Sequence, residues 1–129
     1  MLGLRVLQRN RNKVFGSVGE SCAVKLLTDH GYKIIEKNFR SRFGEIDIVT
    51  EKDQVIVFVE VKTKTGDGFG EPWEMVNQHK LKQIRMMGEA YLTKNGLTDR
   101  ACRIDVIGVW LNRDSEVTKL EHWDNVDAI

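Results

Sequence analysis

Two acids and one amine hold most of the chemistry legible in this sequence. Glu60 lies within Phe58-Val59-Glu60-Val61-Lys62, in the most apolar stretch of the chain. A carboxylate on a core strand is costly unless it is paired or bound to a metal. Lys62 stands two residues on and projects to the same side of a strand as Glu60. Asp47 lies in the preceding apolar segment, which gives the spacing Asp-x12-Glu-x-Lys. If the two segments pair as a hairpin, the carboxylates meet across the sheet. A two-residue loop at Asp53-Gln54 sets Asp47 opposite Glu60 and Val49 opposite Phe58. A three-residue loop centred on Asp53 sets Asp47 against Val59 and needs a bulge to align the acids. The first register is preferred.

Two converging carboxylates suit Mg²⁺ or Mn²⁺, since Mg²⁺ takes a few carboxylates plus waters and phosphate oxygens. Such an ion polarises a scissile phosphate and lowers the pKa of a bound water. Lys62 would orient or deprotonate that water, or offset charge building on the phosphorane. The Val61 carbonyl would add a ligand, and Glu20 would reach the metal directly or through water. The competing interpretation of Asp47, Glu60 and Lys62 is a structural ion pair. Glu20 also has one, because Ser17-Val18-Gly19-Glu20 has the form of a capping box.

The elements that must position these groups follow from periodicity. A helix is predicted to open at Ser17, with Ala23, Leu26, Leu27 and His30 at helical spacing, and to stop at Gly31. Tyr32 to Phe39 reads as a strand and Asn38 to Phe43 as a turn. Glu45 to Thr50 is an alternating strand with Ile46 and Ile48 on one face and Glu45, Asp47 and Val49 on the other. Val55 to Lys64 is rich in β-branched residues. Its odd-numbered valines share one face, and Ile56, Phe58, Glu60 and Lys62 the other. Thr65 to Pro72 holds three glycines and reads as a loop. A second helix is predicted from about Glu74 to Lys94, then strands at Arg103 to Trp110 and Glu116 to Trp123. The order α-β-β-β-α-β-β describes one α/β domain with a mixed central sheet flanked by helices. Residues 1–13 read as a basic N-terminal arm, mobile or forming a short extra helix, ahead of a single domain over 14–129.

With 129 residues, 41% hydrophobic and 30% charged, the chain has globular composition and room for its own core. No apolar run is long enough to span a bilayer, and the basic N-terminus lacks the apolar segment of a secretory signal. A cytoplasmic protein without membrane association is expected. Cys22 and Cys102 read as reduced thiols, and no Cys/His cluster suggests zinc. Net charge is only +1, so bulk charge does not announce a nucleic-acid partner. Its distribution allows one. Arg40 and Arg42 lie in a basic turn, and Lys80 and Gln83 early in the second helix. These four are candidate phosphate contacts, weighed against ordinary solvated side chains. Arg103 and Asp105 read as a structural pair, and Tyr91 as core.

Larger motifs surround the candidate site. They are Gly16-x-x-Gly19-Glu20, Asn38 to Asp47, Phe58 to Thr63, Gly70-x-Pro72, Val76 with Lys80, Ala90-Tyr91-Leu92 and Arg103 to Ile107. The Asp-x12-Glu-x-Lys arrangement resembles the PD-(D/E)xK nuclease superfamily, with its restriction-endonuclease-like fold, and the surrounding stretches, from Gly16 onward, carry the likeness to the YraN-like family. Gly44 to Asp47 and Phe58 to Lys62 are similar to archaeal-type Holliday junction resolvases. The fullest resemblance is to the YraN-like family of small bacterial proteins. It implies that Asp47 and Glu60 bind metal, that Lys62 assists catalysis, and that Glu20 matches the helix-borne acid of the resolvase-like branch. Ile46 stands where the superfamily's name puts proline, and Lys64 where family members commonly carry arginine. The resemblance implies a Mg²⁺- or Mn²⁺-dependent endonuclease acting on DNA, with branched DNA and a homodimer by analogy to the resolvases. The fold also hosts catalytically inactive nucleic-acid-binding or adaptor proteins, and an RNA-directed nuclease is a third alternative.

Overall fold

A computed structural model describes residues 2–66 and 76–127, with side chains from residue 13 onward. Helix α1 spans Leu2–Asp29, followed by β1 (Lys33–Ser41), β2 (Gly44–Lys52) and β3 (Val55–Thr65). Helix α2 (Gln78–Lys94), β4 (Cys102–Leu111) and β5 (Val117–Trp123) complete the α-β-β-β-α-β-β order expected from the sequence. The five strands form one sheet in the order β1-β2-β3-β4-β5. Only β3 and β4 run parallel, and the other neighbours are antiparallel. The sheet is therefore mixed, and the β3–β4 crossover carries α2.

β3 is the middle strand, and its near-continuous apolar run is what burial on both faces requires. Val57 and Val59 pack with Phe15, Ala23 and Leu27 of α1. Ile56 and Phe58 pack with Leu81, Ile84, Met87 and Tyr91 of α2. The alternation expected for this strand holds, and it places Glu60 and Lys62 in the row facing α2. Tyr91 lies in that core, edge-on to both Phe39 and Phe58. Among the described residues no helix is long and apolar enough to cross a membrane.

Several local expectations are corrected. Helix α1 does not open at Ser17. It runs unbroken from Leu2, which also draws the backbone of the supposed N-terminal arm into the helix. Leu, Arg and Gln in that stretch are good helix formers, and no proline interrupts them. Ser17-Val18-Gly19-Glu20 is thus helix interior and caps nothing. Helix α2 begins at Gln78 rather than near Glu74, because the Asn77 side chain accepts from the Lys80 N–H at 2.9 Å as its N-cap. The glycine loop placed at Thr65 to Pro72 lies mostly outside the described residues, as does Trp73.

The turn expected over Asn38 to Phe43 shrinks to Arg42-Phe43, since Ser41 pairs directly with Gly44. Ile46 and Ile48 do not share a face, for Ile46 packs on the α2 side and Ile48 on the α1 side. Their β1 partners, Phe39 and Lys37, flank Asn38, whose φ of 56° is left-handed. Asparagine tolerates that conformation better than most residues. The β1–β2 ribbon turns over at this level, where Asp47 lies.

Candidate active site

The β2–β3 hairpin sets the site's register. Asp53 and Gln54 both take positive φ, 51° and 68°, as a two-residue turn of the primed type demands. Lys52 then pairs with Val55, Val49 with Phe58, and Ile48 with Val59. This is the preferred register. The pairing ends at Ile48–Val59, one step short of Asp47 and Glu60. There β2 parts from β3, and an Asp47 carboxylate oxygen takes the Val61 N–H at 2.7 Å in place of a strand carbonyl. The N–H and C=O of one strand residue face the same neighbour, so the Val61 carbonyl also looks toward the opening.

Glu60 is 5% exposed at its side chain, and two lysines compensate it. Lys62 Nζ lies 3.2 Å from Glu60 Oε1, and Lys80 Nζ lies 3.7 Å from the same oxygen. Both lysines keep about a third of their side chains in solvent, 34% and 30%. The ammonium groups therefore stand between a buried acid and the surface. Asp47 is half-buried. Burial first, then the neighbouring charge of Glu60, pushes its carboxyl up to about 7, with smaller contributions from Glu45 and Glu20. The Val61 N–H only partly offsets this. In short, the protein concentrates more negative charge here than its own cations neutralise.

Glu20 approaches this centre from α1. Gly19 allows it, since a Cβ there would fall 2.0 Å from Thr63 Oγ1 on β3. The helix backbone thus lies directly against the strand that carries Glu60. Glu20 Oε1 accepts from Asn38 Nδ2 at 3.2 Å. With the capping role gone, this contact and its field on Asp47 are what Glu20 does. Asn38 was not singled out from the sequence as a site residue. Its signal is slight, because Asn38 follows Glu36 and Lys37 in a mostly polar, mostly exposed strand.

The candidate phosphate contacts divide. Lys80 joins the carboxylates. Arg40 is mostly exposed and pairs with Glu45, Nε to Oε2 at 3.1 Å. Arg42 is exposed, with its guanidinium 4.8 Å from the centre of the Phe43 ring. Gln83 donates to the Phe43 carbonyl at 2.6 Å and fills the space that Gly44, at φ 140°, leaves open. It ties α2 to the β1–β2 turn. Arg103 and Asp105 form the expected structural pair at 3.1 Å. Asp105 is fully buried and also accepts from Tyr32, from the Asn125 N–H and, at 2.8 Å, from the His122 ring. Burial pushes its carboxyl up, but the bonds from His122, Arg103 and Asn125 together hold it below the usual range.

As to metal fit, the described residues hold no cluster of three or more His, Cys, Asp or Glu side chains arranged for an ion. The donor set is two carboxylates and a strand carbonyl. That suits a cation which completes its shell with waters and substrate phosphate, and a divalent charge would relieve the crowding at Asp47.

A family model described as "Uncharacterised protein family UPF0102" matches residues 19–109. Glu20, Asp47, Glu60, Lys62 and Lys80 all lie within it. A UPF0102 protein of Moorella thermoacetica is 44% identical over 106 residues, 82% of this chain and 88% of that protein. One from Geobacter metallireducens is 44% identical over 114 residues, 88% and 92% of the two chains. One from Acetivibrio thermocellus is 40% identical over 113 residues, 87% of each. A match that runs from within α1 to within β4, with relatives this similar over most of both chains, means that the protein belongs to the UPF0102 family.

Proposed function

We propose that this protein is a metal-dependent endonuclease that hydrolyses DNA phosphodiester bonds, with branched or otherwise structured DNA as its substrate. The observation that carries the proposal is Asp47 held on the Val61 N–H, next along β3 from Glu60, where β2 leaves β3, with Lys62 and Lys80 both on Glu60. The resemblance to PD-(D/E)xK nucleases supports it, and branched DNA enters by analogy to the resolvases.

Asp47, Glu60 and the Val61 carbonyl would hold Mg²⁺ or Mn²⁺, with Glu20 acting on Asp47 from α1. The ion would supply Lewis-acid polarisation of the phosphate and a more acidic attacking water. Glu60 fixes the ammonium groups of Lys62 and Lys80 at the mouth of the site. Lys62, on the same strand, orients the attacking water by donating an ammonium N–H to its oxygen. Lys80 offsets charge on the phosphate, and Arg40 and Arg42 position the backbone without reading sequence.

A second reading has its own observation. Lys62 and Lys80 compensate Glu60 without any ion, as in a nucleic-acid-binding or adaptor protein that keeps the fold. Nicking of plasmid and synthetic four-way junctions in Mg²⁺ or Mn²⁺ separates the two. Cleavage by the wild type, lost in both Glu60→Ala and Lys62→Ala, supports the enzyme. DNA binding indifferent to metal, with no cleavage of any DNA form, would reject it. Preference for RNA in the same assay would redirect it to an RNA-directed nuclease.

A further inference from the structure

A groove of about 330 Å³ opens beside the candidate active site, between the β1–β2 turn and the start of α2. Its walls are Phe43, His79, Lys82, Gln83 and Met86. On α2 the last four fall at i, i+3, i+4 and i+7, one stripe of the helix. Lys80, which reaches Glu60, belongs to the adjacent stripe. The groove thus adjoins the stripe of α2 whose Lys80 reaches Glu60.

Its chemistry is unusual for a surface. Phe43 and Met86 are 40% and 42% exposed, yet both line the groove among cationic groups, and among the described residues no acid lines it. The Arg42 guanidinium lies over the Phe43 ring. The turn that presents this ring is pinned at both ends. The Phe43 N–H donates to Ser41 Oγ at 3.0 Å, and the Phe43 carbonyl accepts from Gln83 at 2.6 Å. A positioned aromatic ring flanked by cations is how proteins hold single-stranded nucleic acid. The base stacks on the ring or guanidinium, and the phosphates meet the basic side chains.

We propose that the Phe43–Met86 groove binds one unpaired nucleotide of the DNA strand that runs into the site. The inference rests on the nuclease reading for its location and gives the enzyme its preference for DNA with unpaired bases at a branch. Phe43 and Met86 contact the base, while Arg42 and Lys82 meet its flanking phosphates. An intact duplex keeps its bases stacked and gains only the phosphate contacts.

Fluorescence anisotropy tests this in Ca²⁺, with a splayed-arm DNA and a fully paired duplex of equal length. Wild type should bind the splayed DNA more tightly. Phe43→Ala should lose about tenfold on that substrate, the size of one lost base–aromatic stack, and leave duplex binding unchanged. Phe43→Tyr should restore the preference. Met86→Gln, which removes apolar contact on the opposite wall, should lower it independently of any folding defect at the turn. Equal loss on both substrates, or none on either, would overturn the proposal. Because the readout is binding, groove and nuclease fail separately. Selective loss without cleavage by the wild type would keep the groove and end the enzyme. Cleavage with an unchanged Phe43→Ala profile would do the reverse.

Discussion

Neutralising Asp47 should make the metal-free protein more stable, although it removes a side chain at the centre of the candidate site. Asp47→Asn keeps the shape, and its amide oxygen can still accept the Val61 N–H that now meets the carboxylate at 2.7 Å. What it removes is a charge that burial and Glu60 disfavour. A rise from 3.8 to about 7 corresponds to a ceiling of ~4 kcal/mol once the group is forced to ionise. Asp47 is only half-buried and shares the repulsion with Glu60, so about 2 kcal/mol is the expected gain. In a domain of this size that is a rise of roughly 5–10 °C in Tm.

The sign follows from linkage. The folded state holds the Asp47 proton more tightly than the unfolded chain does. Wild type therefore loses stability as pH climbs from 3.8 to about 7 and levels off above. The advantage of Asp47→Asn should be absent in acid and full at about pH 8.5. Thermal denaturation in EDTA across that range measures it. Adding Mg²⁺ at tenfold its dissociation constant should stabilise wild type by about 1.4 kcal/mol and the variant by much less. A variant that is neutral or destabilised at alkaline pH would refute the view that two carboxylates crowd one poorly solvated site.

The remaining predictions concern how the fold holds that site. Gly19→Ala should cost about 1–3 kcal/mol in denaturant unfolding, because its Cβ would strike Thr63 Oγ1. Combining it with Thr63→Ala should recover much of that loss, and additive costs would contradict the steric account. Asp105→Asn should cost about 3–5 kcal/mol, since it leaves Arg103 and His122 facing a neutral group in a buried network. A loss under 1 kcal/mol would count against that network. Gln54→Gly should stabilise by roughly 0.5–1 kcal/mol, because Gln54 holds a φ of 68° in the hairpin turn that glycine adopts freely.

The parts of the site that the sequence revealed are those set by local pattern. Alternation along β3 placed Glu60 with Lys62, and the length of the Asp53-Gln54 turn fixed Asp47 near Glu60. Neither inference needed knowledge of distant segments. Both rest on the fixed period of a strand and on turn length setting register. Alternation failed between Ile46 and Ile48, where Asn38 on the neighbouring strand is left-handed and the ribbon turns over. A strand's own residues do not reveal a twist imposed by its neighbour.

The groups that surround the pair depended on how helices dock, and there the local signals pointed elsewhere. Ser17-Val18-Gly19-Glu20 has the composition of a helix start, yet helix formers upstream carry α1 through it. Gly19 is instead the point of closest approach to β3, and that contact is what brings Glu20 toward Asp47. Lys80, read as a contact for phosphate, reaches Glu60 because Leu81, Ile84 and Met87 pack α2 on the sheet and set the rotation of the helix. A helix docked one residue out of phase would carry Lys80 about 100° around the axis and away from the carboxylate. The charge balance around Glu60 thus depends on how the apolar face of α2 docks as much as on the acids themselves.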